Sequence, residues 1–127
     1  MSEIYFKIEE INPHNYPTTP EIDANISELI SKLSKVREAW GKPMQVTSGL
    51  RSQADQARIN PGAPKSKHLS GQAADILDED GSLKVWVGEN LALMETIGLW
   101  FEAFESTPNW CHMQIVPPGS GKRIFQP

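Results

Sequence analysis

The chain has 127 residues, of which 39% are hydrophobic and 22% are charged. This balance is typical of one soluble globular domain, since a disordered chain is less apolar and two domains need more residues. The formal net charge of −4 and the scattered lysines and arginines argue against nucleic-acid binding, which requires a concentrated basic surface.

The N-terminal segment, MSEIYFKIEE, is acidic and has no apolar run, so it is not a secretory signal peptide. No later segment approaches the roughly 20 apolar residues that cross a bilayer. We therefore expect a protein that is made in the cytoplasm and does not insert into a membrane. The next residues, NPHNYPTTP, contain three prolines, which exclude a regular helix and predict a loop over the core.

The clearest predicted helix extends from Pro20 to Trp40. Thr19 is a suitable N-cap, and Pro20 occupies the first helical position, where its missing N–H costs nothing. Gly41 is a typical C-terminal cap. Apolar residues recur at helical spacing and predict a packed face: Ile22, Ile26, Leu29, Ile30, Leu33, Val36 and Trp40. The charged residues of the opposite face predict only a solvated surface.

Short elements follow in the middle of the chain. Ser82 is predicted to cap a second long helix that ends at Gly98. Before it, the sequence predicts a strand over 44–48, a short helix over 52–60, a loop over 60–67, a buried strand over 72–77 and a turn over 78–81.

Two strand-like runs, 99–104 and 109–115, are separated by a turn segment and predict an antiparallel hairpin. The tail, PPGSGKRIFQP, is predicted to be irregular. The expected fold class is therefore α+β, with helices packed on a small, mainly antiparallel sheet in a single domain over 1–127.

The side chains that favour metal chemistry are two histidines and one aspartate. His68 and Asp75 flank a segment with Gly71, which allows a sharp turn, and Asp75 lies in the apolar run AADIL. A charge buried there has to be paired or bound to a metal. The spacing alone leaves open a hydrogen-bonded core histidine and a turn-capping aspartate. His14 lies in the proline-rich loop and is expected at the surface.

The strand around His112 alternates in character. Trp110, His112 and Gln114 share one face, whereas Cys111 points to the other face and toward the core. Cys111 is therefore not expected to bind a metal, and as the only cysteine it cannot form an intrachain disulfide. Gln114 is placed to orient His112, although a simple surface role is equally compatible with the pattern.

Three linked motifs resemble the family of D-alanyl-D-alanine carboxypeptidases and L-alanyl-D-glutamate endopeptidases, which includes many phage endolysins. SGLRS (48–52) resembles Ser-Gly-aromatic-Arg-Ser, with Leu50 in place of the aromatic residue. SKHLSGQAADI (66–76) resembles Ser-x-His-x-x-Gly-x-Ala-x-Asp-Ile, and WCH (110–112) resembles Trp-x-His. YFKIEE (5–10) is a weaker match to the N-terminal opening, so the resemblance covers nearly the whole chain.

The resemblance implies roles for five residues. His68, Asp75 and His112 are expected to hold a catalytic Zn²⁺ ion. Arg51 is expected to contact the substrate, either polarising the scissile carbonyl or binding a peptide carboxylate. Ser66 is expected to form a hydrogen bond with the substrate.

The general base is taken from a second pattern. Some branches of the family have a carboxylate three residues before the last histidine, but this chain has Asn109 there. Other branches place a glutamate in a Leu-x-x-Glu context, which LWFE (99–102) resembles. We therefore expect Glu102 to face His112 across the hairpin as general base, with Glu105 as the alternative. Either carboxylate is also compatible with a solvent-facing position at a strand end.

The function that the resemblance implies is zinc-dependent hydrolysis of a peptide bond in the bacterial peptidoglycan stem. Whether the enzyme is a carboxypeptidase or an endopeptidase stays open. A monomeric phage or prophage lysis enzyme is expected, reaching the wall through a pore made by another protein. The alternatives are another metallohydrolase, an inactive zinc-containing wall-binding module like the related Hedgehog signalling domain, and a virion structural protein. Two imidazoles and a carboxylate favour zinc over other divalent metals without excluding them.

Overall fold

The computed structural model describes residues 4–59 and 66–127. Within these ranges the α-helices are α1 (Ile8–Ile11), α2 (Pro20–Trp40), α3 (Gln53–Ile59), α4 (Ser82–Glu89) and α5 (Leu91–Ile97). The strands are β1 (Val46–Ser48), β2 (Ala73–Leu77), β3 (Trp100–Glu102), β4 (Trp110–Gln114) and β5 (Ile124–Phe125). Two short 3₁₀ turns cover Lys67–Ser70 and Phe104–Ser106.

The strands form one sheet in the order β1-β2-β4-β3-β5. The pairs β1–β2, β2–β4 and β3–β4 are antiparallel, and β5 is parallel to β3. The expected α+β class with a mainly antiparallel sheet is confirmed, and so is the antiparallel pairing of the hairpin strands.

The helix α2 has the predicted ends and the predicted buried face. The side chain of Thr19 accepts a hydrogen bond from the backbone N–H of Ile22 at 3.1 Å, and Gly41 adopts the left-handed conformation that ends the helix. The residues of α2 that are buried in the core include Ile26, Leu29, Ile30, Leu33 and Val36. This face packs with the apolar residues of the sheet, among them Ala74, Ile76, Phe101, Cys111 and Met113.

Because side chains alternate along a strand, this packing leaves the opposite sheet face to a second set of residues. We call it the site face and define it by five residues of β2, β3 and β4: Asp75, Trp100, Glu102, His112 and Gln114. Asp75 and His112 are opposite one another in the β2–β4 pair, and Trp100 is opposite Gln114 in the β3–β4 pair.

The prediction of one long helix after the turn at 78–81, capped by Ser82, was wrong in two respects. It is divided into α4 and α5 at Asn90, whose side-chain amide donates to the carbonyl of Trp86 at 2.8 Å. Such a side-chain bond competes with the backbone ladder and favours a break. Ser82 does not cap α4, because the carboxylate of Asp78 accepts from the N–H groups of Leu83 and Lys84. Gly98 ends α5 as predicted.

The prediction of an irregular tail was also wrong, since β5 pairs with β3 and extends the sheet. The N–H groups of Phe101 and Ala103 donate to the carbonyls of Arg123 and Phe125 at 2.8 and 2.7 Å. A two-residue strand is too short to show a periodic pattern, and its pairing depends on the free edge of β3.

Other boundaries differ by a few residues. The strand predicted over 44–48 is confined to Val46–Ser48, and the short helix α1 precedes the proline-rich loop. Most of the loop predicted over 60–67 lies outside the described residues. In the described part of the chain, no helix has both the length and the apolar character to span a membrane.

Candidate metal centre

Three side chains converge on the site face. His68 comes from the 3₁₀ turn before β2, Asp75 from β2 and His112 from β4. One potential ligand atom from each residue lies within 4.8 Å of the other two, and all three residues are buried. The structure therefore brings together the three residues that the sequence predicted as metal ligands.

The turn that carries His68 is held locally at both ends. The hydroxyl of Ser66 accepts from the backbone N–H of His68 at 3.2 Å, and Gly71 ends the turn with a φ of +73°. A methyl group on Gly71 would lie 2.8 Å from a side-chain carbon of Ile26. The structure thus gives Ser66 a part in positioning His68, and its contact with the substrate stays a prediction.

The hydrogen bond of His68 to the backbone sets its tautomer. Its Nδ1 lies 2.8 Å from the carbonyl oxygen of Gly49, which can only accept, so Nδ1 carries the proton. The lone pair of Nε2 then faces Oδ1 of Asp75 at 3.4 Å. The chain around Gly49 is closely packed, because a methyl group there would overlap the backbone of Ile11.

The tautomer of His112 is set in the same way by Gln114. The amide nitrogen of Gln114 donates to the carbonyl of Val116 at 2.8 Å, and its Oε1 lies 2.8 Å from Nε2 of His112. Since Oε1 accepts, Nε2 carries the proton and the Nδ1 lone pair faces Oδ1 of Asp75 at 3.0 Å. Gln114 therefore orients His112, which was one of the two roles that the sequence left open.

This arrangement fits a divalent metal ion. Two imidazole lone pairs and a carboxylate oxygen point at one another, so a cation between them would satisfy all three acceptors. Without a metal, a proton on Nδ1 of His112 can form a hydrogen bond with Oδ1 of Asp75. Burial lowers the pKa of His112, but the hydrogen bond to Asp75 outweighs it and raises that pKa. Burial raises the pKa of Asp75, but its interactions with the rings of His112 and His68 outweigh burial and hold that pKa well below its usual range.

Arg51 supports the second oxygen of Asp75. Its three nitrogens donate separately: Nε to Ser48 at 2.9 Å, Nη1 to Gln56 at 2.9 Å and Nη2 to Oδ2 of Asp75 at 3.2 Å. Gln56 is buried on α3. Arg51 therefore positions a candidate ligand, a role that the sequence had not indicated. Sequence analysis missed Gln56 altogether, because a lone glutamine on a short helix gives no signal of burial.

Of the two candidate general bases, Glu102 is the one beside the triad. Its Oε1 lies 3.9 Å from Nδ1 of His112, and its side chain is 26% exposed, so solvent reaches it. Glu105 instead accepts from the amide of Gln126 at 3.2 Å at an exposed position. Asn109 is exposed at the start of the hairpin's second strand.

The remaining histidine and the cysteine lie outside the cluster. The ring of His14 is 5.3 Å from that of Tyr16 in the N-terminal loop. Cys111 is buried in the core as predicted, and burial raises the pKa of its thiol.

Comparisons with known proteins identify the fold and the family of the chain. The structure is similar to the crystal structure of the Serratia marcescens L-Ala D-Glu endopeptidase ChiX, with a TM-score of 0.52 and 17% sequence identity over 84% of this chain and 95% of that chain. At this identity the likeness establishes the fold. A search of curated proteins finds no significant match. The model of the peptidase M15 family matches residues 4–112, and the chain therefore belongs to the peptidase M15 family.

Proposed function

We propose that this protein is a zinc-dependent peptidase that cleaves a peptide bond in the stem peptide of bacterial peptidoglycan. The observation that carries the proposal is the position of Glu102, a partly exposed carboxylate 3.9 Å from one ring nitrogen of the candidate metal centre. The family supports peptidase chemistry. The named activity of the similar solved structure supports the peptidoglycan substrate and, of the two bonds considered, favours the L-Ala–D-Glu bond.

His68, Asp75 and His112 would hold the zinc ion. Their donor set, two nitrogens and one carboxylate oxygen, is that of a catalytic zinc site with three protein ligands. When bound, zinc supplies Lewis acidity to a carbonyl oxygen and makes water more acidic.

Glu102 would act as general base and then as general acid. It accepts a proton from the attacking water as the new carbon–oxygen bond forms, and it returns the proton to the amine as the carbon–nitrogen bond breaks. Arg51 holds Asp75 through Nη2, and each of its terminal nitrogens keeps a second N–H for a substrate carbonyl. Ser66 is linked to Arg51 through the backbone of His68, whose N–H donates to the Ser66 hydroxyl and whose carbonyl accepts from the backbone N–H of Arg51.

A wall-binding module without catalysis is the alternative, and the observation in its favour is Asn109, where some branches of the family have a carboxylate. Glu102 argues against it, because a binding module needs no proton acceptor beside the metal ligands. The phage-lysis setting, the monomeric state and release through a pore rest on the family resemblance and are part of the proposal.

The test is peptide release from purified peptidoglycan by the zinc-loaded protein, with mass spectrometry of the fragments. Glu102→Gln should lower the rate by about 10²–10⁴-fold because it removes the general base, while zinc affinity stays close to that of the wild type. His68→Ala should lose zinc and activity together, and Asn109→Ala is the matched control that should leave both unchanged.

The fragment masses identify the bond that is cut. A wild-type protein that binds zinc but releases nothing from any wall type would overturn the peptidase proposal in favour of the binding module. Full activity in Glu102→Gln would overturn the assignment of the base.

A further inference from the structure

An arginine other than Arg51 lies beside the site face, outside the candidate metal centre. The guanidinium of Arg123 lies over the indole ring of Trp100, 4.4 Å from the ring centroid, and its Nη1 donates to the carbonyl of Leu99 at 2.9 Å. Trp100 is opposite Gln114 in the β3–β4 pair. Stacking and the backbone bond thus hold a cation in one orientation beside the metal centre, at a half-buried position.

The register of β5 and the alternation of side chains explain why Arg123 faces the site. Phe125 is opposite Glu102 in the parallel pair, and its ring is 6.3 Å from that of His112. Arg123 precedes Phe125 by two positions, and residues two apart share a face of a strand. Arg123 and Phe125 therefore both lie on the site face, with Phe125 next to the cluster.

The hydrogen bonds of the two arginines differ. Arg51 uses all three of its nitrogens within the protein, and one of those bonds goes to the buried carboxylate of Asp75. Arg123 uses only Nη1, so among the described residues the N–H groups on Nε and Nη2 have no acceptor. A peptide carboxylate would supply two oxygens for these two donors, in the paired geometry that guanidinium favours.

We propose that Arg123, held on Trp100, binds a carboxylate of the substrate. The inference deepens the proposed function and rests on it. Trp100 and Glu102 are two residues apart on β3, which is about 6.6 Å at roughly 3.3 Å per residue. We therefore expect the carboxylate bound by Arg123 to belong to a substrate residue near the bond that is cut. Arg123 lies beyond residues 4–112, the range matched by the family model.

The experiment uses zinc-loaded protein and a synthetic peptidoglycan stem peptide in which each free carboxylate is replaced, one at a time, by a primary amide. Hydrolysis rates give kcat and KM, and calorimetry with the Glu102→Gln variant gives the affinity of each uncleaved peptide. The test variant is Arg123→Gln, which keeps an N–H for the carbonyl of Leu99 and loses the charge. The matched control is Lys122→Gln, at the neighbouring exposed position.

We expect one amidated peptide to bind about 10–100-fold more weakly than the parent peptide, the range of a charge-assisted pair of hydrogen bonds. Arg123→Gln should weaken the parent peptide by a similar factor, mainly through KM, and should abolish the difference between acid and amide. Lys122→Gln should keep that difference. A second variant, Trp100→Leu, removes the ring under the guanidinium and should give part of the same loss.

The inference is overturned if no single amidation weakens binding, or if Arg123→Gln weakens the acid and the amide equally. Failure of the proposed function has a different signature. If the wild type cleaves no peptide but still binds the carboxylate form more tightly than the amide in an Arg123-dependent way, the role of Arg123 is supported and the peptidase assignment is refuted.

Discussion

The bond between Gln114 and His112 can be tested by Gln114→Met, which keeps the volume of the side chain and removes its amide. The change leaves the Nε2–H of His112 without an acceptor at a buried position, and this costs about 1–3 kcal/mol in the metal-free protein. It also allows the imidazole to move its proton to Nδ1, the nitrogen that faces Asp75. Loss of such an orienting partner typically lowers metal affinity by about 10–100-fold, or about 1.4–2.7 kcal/mol.

The assay is competition for zinc against a chromophoric chelator at a fixed pH, together with thermal denaturation of the metal-free protein. Gln53→Met is the control, because Gln53 is an exposed glutamine on α3. Gln114→Glu keeps an acceptor for Nε2 and should retain most of the affinity, although the carbonyl of Val116 loses its donor. If Gln114→Met binds zinc as tightly as the wild type, Gln114 does not set the tautomer of His112 and the reasoning is refuted.

Three further predictions concern the turn, the arginine and the protons of the centre. Gly71→Ala should destabilise the fold by about 1–2 kcal/mol or more in a denaturant titration, since an L-residue with φ of +73° is strained and the methyl group overlaps the side chain of Ile26. The control is Gly119→Ala, whose methyl group meets no atom within 4 Å and should leave the stability unchanged. Arg51→Lys should weaken zinc binding as well as catalysis, because one ammonium cannot replace three separate donors; unchanged zinc affinity would restrict Arg51 to substrate contact. The raised pKa of His112 stabilises the metal-free protein fully below the unfolded value of 6.5, and this contribution is lost as pH rises through the raised pKa. Zinc competes with that proton, so its affinity should rise with pH over this interval, and a pH-independent affinity in the competition assay would contradict the assignment.

The parts of the site that sequence predicted are those encoded within short segments. His68, Gly71 and Asp75 lie within eight consecutive positions, so one turn and one strand suffice to relate them. Alternation along β4 then separates His112 from Cys111 without any knowledge of the sheet. The ends of α2 were equally predictable, because Thr19 acts on its own helix.

The features that sequence did not predict depend on contacts between distant segments. Gln56 is significant only because Arg51 reaches it and Asp75 at once. The strand β5 exists because its backbone finds the edge of β3, and a dipeptide carries no signal of that partner. The break at Asn90 is local, but asparagine is common on helix surfaces and the apolar pattern continues past it, so periodicity favoured one long helix.

The two carboxylate oxygens of Asp75 have different partners, and this difference bears on whether the centre is catalytic or structural. Its Oδ2 is 3.2 Å from Arg51, and its Oδ1 faces both histidines, so Asp75 offers one oxygen to a metal ion. Among the described residues, the group of side chains close enough to bind one ion consists of His68, Asp75 and His112. Structural zinc sites are closed by four protein ligands, whereas catalytic sites keep one position for water. Glu102 lies beside the centre, with its Oε1 3.9 Å from Nδ1 of His112, and its partly exposed carboxylate can accept a proton. The proposed hydrolysis requires a proton acceptor beside three candidate ligands, whereas a zinc ion that only stabilised the fold would not need the Glu102 carboxylate.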